Sequence, residues 1–319
     1  MKEKIILEIN SNPKIKTYNN IACSFSIIDS QIPNYDQWLC KHFTGLHYRK
    51  SWRTVVFNMR YSYHWSCFKS KICFVRPLAY NSFVRMIKKN IVNKYYIYLC
   101  VNEKYIPNRI AHNKINYSHD IYIYGFNDFE NCFYTMGYDE TFNFSTQKIK
   151  FKDLYLAYSR RFPNFCCFSF KLKDGFIFEQ NNFNQLLFEI YRYLNPRSKY
   201  YGINIFNYLI SFYNQRLDMR NFKILTEHFY VLMKLPKSNN LFDDLFFNAN
   251  KLFFMAIKYN NTGKKDVLLK VKKTLNDLKN AEIKLINYYI EKNINEPEVS
   301  KFFKLLWRKE NEKYKIKKE

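Results

Sequence analysis

The sequence predicts an α+β fold, and three observations carry that prediction. Short β-rich runs with helical patches between them fill the chain up to about residue 175. From there to about residue 290, apolar residues recur at a 3.6-residue spacing. The stretch HDIYIYGFNDFENCFYTMGYDE, His119 to Glu140, reads as a single β-hairpin. Helix beside antiparallel hairpins is the α+β pattern. The change of character predicts two domains, 1–175 and an all-helical 176–319, with the boundary inside Asp174–Glu179.

Taken in order, strands are expected at Lys4–Ile9, Thr54–Met59 and Tyr95–Val101, in the hairpin, and at Gln147–Phe151 and Asn164–Leu172. Helices are expected at Ala22–Asp29, Tyr35–Phe43, Ala79–Asn93 and Phe151–Ser159. In the second half, Phe183–Leu194 carries Leu186, Leu187, Ile190, Tyr191 and Leu194 on one face, and Asn195-Pro196 stops it. Gly202–Gln215, Asp218–Leu235, Leu241–Tyr259 and Lys264–Glu291 follow in the same manner. Asp218 is an N-cap candidate and Pro236 a terminator. The charged Lys301–Glu319 tail is expected to fray.

Composition narrows the function. Of 319 residues, 47% are hydrophobic and 20% aromatic, enough for a sizeable core. Six glycines and no GxGxxG or GxxxxGK[ST] argue against a nucleotide cofactor. A net charge of +25 suits an anionic partner. Joint inflation of Lys, Asn, Ile, Tyr and Phe accounts for part of that charge as compositional drift. Charge and aromatics also suit nucleic acid, but no motif adds to them, so nucleic acid is not expected. MKEKIILEINSNPKIK lacks the continuous apolar core of a signal peptide, and no run of 18 apolar residues occurs, so a cytoplasmic chain without a membrane span is expected. Eight scattered cysteines without a CxxC fit reduced thiols. His64, Cys67 and Cys73 lack ligand-pair spacing, and no metal is expected.

The hairpin carries the first chemical signal. If its turn centres near Asp128–Phe129, His119 lies opposite residue 138 or 139, because antiparallel pairing conserves the sum of the two numbers. Opposed Cβ atoms are about 4.5–5.5 Å apart. Asp139 is therefore expected beside His119, as an orienting carboxylate beside a base. Asp120 competes for that role, but strand alternation turns it to the opposite face. For a nucleophile, Cys23 ranks first among the cysteines. It follows the turn-prone TYNNIA and precedes SFSIID, which can begin a helix, and a helix N-terminus stabilises thiolate. Asn19 or Asn20 could cap that helix or donate to an oxyanion. Cys40, Cys100 and Cys132 read as packing residues. So do His64 and His228, whereas His42, His47 and His112 read as surface, helix-end or loop residues.

The order Cys23, His119, Asp139 is that of papain-like and bacteriocin-processing cysteine peptidases. The hairpin, YYIYLCVNEKYIPNR (Tyr95–Arg109), YYGINIFNYL, DMRNFKILTEHFYVLM and FFMAIKYN together resemble a papain-like bacterial group of thiotemplated and nonribosomal biosynthesis. That group is similar to the butirosin acyltransferase and to the amide-forming enzyme of closthioamide assembly. The resemblance spans about residues 15–290. It implies a papain-like first domain and an acyltransferase that needs no metal or nucleotide. In that scheme Cys23, activated by His119, takes an acyl group from a carrier-protein phosphopantetheine thioester and passes it to an amine or a second carrier-bound substrate. Asp139 fixes the imidazole. An acidic acyl or peptidyl carrier protein is the implied partner. The chain departs from the pattern around Cys23, which sits in Ala22-Cys23-Ser24 rather than Asp-Cys-Gly or Cys-Trp. Thr17 to Asn20 stands where an oxyanion glutamine is usual. Two further readings therefore remain: a non-catalytic scaffold or binding protein of a biosynthetic assembly, and a cysteine peptidase of the same fold.

Overall fold

A computed structural model describes residues 2–33, 35–52, 54–57, 65–74, 78–161, 167–178, 183–196, 198–211 and 217–294. The Lys301–Glu319 tail, His64, and the ends of the expected segments at 58–59, 164–166 and 212–215 lie outside the described residues. The chain divides into two compact units. One is Met1–Pro33 with Arg60–Ile177, the other Asn34–Met59 with Phe178–Glu319.

The first unit is α+β. Its seven-stranded sheet is antiparallel wherever strands pair. The strands are β1 (Lys4–Ile6), β4 (Phe68–Phe74), β5 (Tyr96–Asn102), β6 (Ser118–Asn127), β7 (Cys132–Tyr138), β8 (Phe144–Lys150) and β9 (Cys167–Leu172). Their order is β4-β9-β5-β6-β7-β8, and β1 pairs with the far end of β6. The expected hairpin is present as β6 and β7. Asn127 Oδ1 accepts from the Phe129 and Glu130 amides and closes the turn.

Alternation sorts the sheet into two faces. Ile97, Leu99 and Val101 of β5 and Ile121 and Ile123 of β6 share a core with Phe83, Ile87 and Ile91 of α3 (Tyr80–Val92). Leu154, Ala157 and Tyr158 of α4 (Phe151–Ser159) join them. α1 (Asn19–Gln31) packs on β6 and β7 and hydrogen-bonds the even-numbered Asp120. Its residues Ile21 to Ile28 are all buried, as a helix apolar around most of its circumference requires.

Gly125 of β6 marks a close approach. A Cβ there would lie 2.6 Å from the Ile5 carbonyl oxygen and 3.0 Å from the Ile6 Cα, both backbone atoms of β1. Gly125→Ala is expected to cost about 1–3 kcal/mol through overpacking. Chemical denaturation checks the magnitude. Faster hydrogen exchange of the Leu7 amide, which donates to Tyr124 O at 2.7 Å, would localise the damage to β1.

The second unit holds α2 (Asp36–Phe43), the hairpin of β2 (Leu46–Arg49) and β3 (Thr54–Phe57), and helices α5 (Phe183–Leu194), α6 (Asn204–Ser211), α7 (Met219–Met233), α8 (Asp243–Thr262) and α9 (Lys265–Ile294). Asp218 caps α7 by accepting from the Arg220 amide, and Gly263 ends α8 with φ 64°. The expected division at residues 175 and 176 needs one correction, because Asn34–Met59 belongs with the helices. The physical reason is apolar and polar matching. Trp38, Leu39, Cys40 and Phe43 form the buried face of α2, with Trp38 4.5 Å from the Phe178 ring and the Cys40 thiol 3.4 Å from Val231 O. Asn221 Oδ1 accepts from both Thr54 Oγ1 and the Val55 amide at 2.8 Å. The unit is therefore not all-helical. Among the described residues, no helix is long and apolar enough to cross a membrane.

Candidate functional site: a buried polar cluster at the start of α1

Tyr18 is the residue before α1, with extended backbone and no side-chain cap. Asn19 opens the helix. Its Nδ2 donates to both the backbone oxygen and Oδ2 of Asp120, each at 2.9 Å, and its Oδ1 accepts from the Cys23 thiol at 3.7 Å. The four-residue spacing puts Asn19 and Cys23 on one face of the helix. It also places Cys23 a full turn in, past the free N–H groups that would stabilise a thiolate. Cys23 is fully buried. Burial pushes its thiol well above the ordinary value, the Asp120 carboxylate pushes it further, and Arg109 only partly opposes them. Cys23 is therefore held as S–H. Asn19 ties α1 to β6, and Asn20 accepts the Ser24 hydroxyl through its backbone oxygen.

His119 pairs in register with Val101 of β5, and Asp120 with Cys100. Its Nδ1 lies 3.2 Å from Glu103 Oε1, its Nε2 lies 3.5 Å from Asp120 Oδ1, and its ring stacks on Tyr117. The imidazole is 28% exposed. Burial alone would lower its pKa. The Asp120 charge and the Glu103 hydrogen bond and charge outweigh burial and Arg109, so the pKa is raised and the imidazolium is favoured.

The expected orienter is corrected. Extending the β6–β7 register sets Asp139 level with His119, because Tyr122 pairs with Met136 and Ile123 with Thr135. The Asp139 carboxylate nevertheless closes its own loop. Oδ1 accepts from the Thr141 amide at 2.9 Å, the Thr141 hydroxyl at 2.7 Å and the Asn143 amide at 3.0 Å. Partial burial would raise its pKa, but these hydrogen bonds, with Arg109, bring it below the ordinary value. A short side chain followed by turn residues finds nearby donors before it spans two strands. The carboxylate on His119 Nδ1 is Glu103 instead, in the 3-10 turn Glu103–Tyr105 that follows β5 and is capped by Asn102.

Arg109 completes the cluster. It is 2% exposed, its Nη1 lies 4.0 Å from Glu103 Oε1, and it donates to the Tyr138 carbonyl. Gly137 makes room for it, since a Cβ there would lie 2.6 Å from Nη2. Glu103 and Arg109 were missed in the sequence, although a signal was present. With Val101 opposite His119, Glu103 falls two residues along the same strand face, diagonal to the histidine.

The cluster thus joins α1, β6 and the turn after β5 through Asp120, which reaches Asn19 on one side and His119 on the other. Cys23 and His119 do not hydrogen-bond each other; Cys23 bonds Asn19, and His119 lies between Glu103 and Asp120. What this arrangement does is lock three segments together through hydrogen bonds and charge pairs. Comparison of the sequence with protein-family models and with curated proteins finds no match.

Proposed function

We propose that this chain is a non-catalytic papain-like protein that binds an acidic acyl-carrier protein in thiotemplated biosynthesis. The observation that carries the reading is the state of Cys23: fully buried, one turn inside α1, and hydrogen-bonded to Asn19 rather than to a base. A helix laid on an antiparallel sheet, with its cysteine preceding the histidine strand, supports the papain-like comparison. The net charge of +25 supports an acidic partner, which it would steer and dock.

A second reading has its own support. Asp120 links the Cys23 end of α1 to His119, so a modest rearrangement of one carboxylate would bring thiol and imidazole into one network. On that reading, the protein transfers an acyl group from the carrier thioester through Cys23 to an amine.

One experiment separates them. The full-length protein is incubated with a carrier protein bearing an acyl thioester, and intact mass and binding are measured at several salt concentrations. The expected result is carrier binding that weakens with ionic strength, since the Debye length is about 10 Å at 0.1 M salt, and no acyl adduct. An acyl group mapped to Cys23 would replace this reading with the transferase. Absence of carrier binding at low salt would remove both.

A further inference from the structure

Outside the polar cluster, the described thiols divide sharply. Burial pushes Cys40 up, and Cys67 and Cys100 each to about 12; Cys132 is also raised. Cys73 behaves differently, and strand pairing supplies the reason. β4 pairs with β9 as Lys71↔Ser169 and Ile72↔Phe168, and the register then shifts, so that Cys73 is the extra residue of a β-bulge facing Cys167. Phe74 is the residue paired with Cys167, and in a bulge two residues of one strand oppose one of the other. Lys71, Cys73, Cys167 and Ser169 therefore share one face of the sheet. Cys167 belongs to the core beneath α3 and α4, and Cys73 packs against that core from the edge strand, half-buried. The two side chains are within hydrogen-bonding reach.

We infer that Cys73 and Cys167 form a redox modification site, in which a small-molecule disulfide oxidises the pair to a cross-strand disulfide between β4 and β9. The geometry suits the bond. A bulge sets two residues of one strand against one of the other, which brings Cys73 beside Cys167, as a bond that spans Cα atoms about 4.4–6.8 Å apart requires. The roles follow from exposure: Cys73 is reached by solvent, whereas Cys167 is fully buried. The hydrogen bond with Cys167 brings the Cys73 thiol down to about 7 against the opposing effect of burial, with Ser169 and Lys71 assisting.

The chemistry balances with the disulfide R–S–S–R as oxidant. The Cys73 thiolate attacks one sulfur, the R–S–S–R bond breaks as Cys73–S–S–R forms, and one R–S⁻ leaves and takes up a proton. Cys167 then gives up its proton and attacks the Cys73 sulfur, and the second R–S⁻ leaves and is protonated. The two protein thiols lose two electrons and two protons, and R–S–S–R becomes two R–SH.

The test uses the full-length protein, oxidised glutathione and peptide mass mapping after acid quenching. The expected product has lost two hydrogen atoms and carries a Cys73–Cys167 cross-link, and a Cys166→Ser variant gives the same product. Cys73 is expected to react at least about tenfold faster than the other thiols, because more of it is thiolate and solvent reaches it. Cys167→Ser should stop the reaction at a stable glutathionyl adduct on Cys73. Three results would overturn the inference: a first adduct on another cysteine, a stable adduct on Cys73 in the unaltered protein without a cross-link, or no reaction. The mapping on the unaltered protein decides the matter even if Cys167→Ser folds poorly.

Discussion

Glu103→Ala is expected to destabilise the first unit by about 3–5 kcal/mol, the loss typical of breaking a buried ion pair from one side. Glu103 is 4% exposed and serves two cations, Arg109 and His119. Its removal leaves Arg109, 2% exposed, with the Tyr138 carbonyl and without its nearest carboxylate. Glu103→Gln keeps an acceptor for His119 Nδ1 and should lose less. Urea denaturation followed by circular dichroism measures both. The pH dependence gives a second readout. The pKa of His119 is raised in the folded protein. A raised histidine contributes stability that is fully present below its unfolded value of about 6.5 and is lost as pH rises through the higher folded value. Stability should therefore fall on the alkaline side of about 6.5, and His119→Asn should flatten that slope. An unchanged slope in His119→Asn would remove the imidazolium from the account of the cluster.

The second large effect lies among the helices of the other unit. His228 of α7 and Glu282 of α9 are both fully buried, with Nε2 2.7 Å from Oε1. Tyr193 of α5 joins them. Its ring lies 5.0 Å from the imidazole, and burial together with the Glu282 carboxylate holds its phenol well above the ordinary range. Glu282→Leu or His228→Leu alone is expected to cost about 3–5 kcal/mol, because each strands a buried polar partner. The paired replacement His228→Leu with Glu282→Leu removes both groups and should recover most of that loss, since an apolar pair of similar volume is often neutral. A double-mutant cycle by thermal or urea unfolding checks this. Simple additivity of the two losses would mean that the pair is not coupled.

Regular elements were largely legible in the sequence, for a local reason. Phe151–Ser159 agrees with α4 at both ends, and Asp218 caps α7 as its side chain suggests, because periodicity and capping are encoded within a few residues. The hairpin register was legible because the Asn127 turn fixes it. β2 and β4 were not anticipated: LHYR and FKSKICF are short or mixed, and distant partners at residues 200–202 and in β9 stabilise them. The candidate site failed at a similar point. Sequence spacing can set Asp139 level with His119 but cannot report that Thr141 and Asn143 claim its carboxylate. Nor can it report that Cys23 lies in the second turn of α1, since that depends on where the helix starts. Glu103 lies next to His119 only because β5 and β6 pair, whereas Asp120, its chain neighbour, was set aside on strand alternation although its carboxylate lies 3.5 Å from His119 Nε2.

The placement of Asn34–Met59 governs the order in which the protein can be made. Reading from the N-terminus, the chain belongs to one unit, then the other, then the first again, then the second. A ribosome therefore releases α2 and the β2–β3 hairpin long before Asn221, Val231 and Phe178, which they need, have been synthesised. The first unit also stays open until β9 emerges, because β9 lies between β4 and β5. A gene fragment ending at residue 177 would strand Leu39, Phe43, Leu46 and Phe57, all buried in the whole protein, and should aggregate. Cutting this protein into soluble pieces calls for excising residues 34–59 from the first fragment and joining them to the second, not for a single cut.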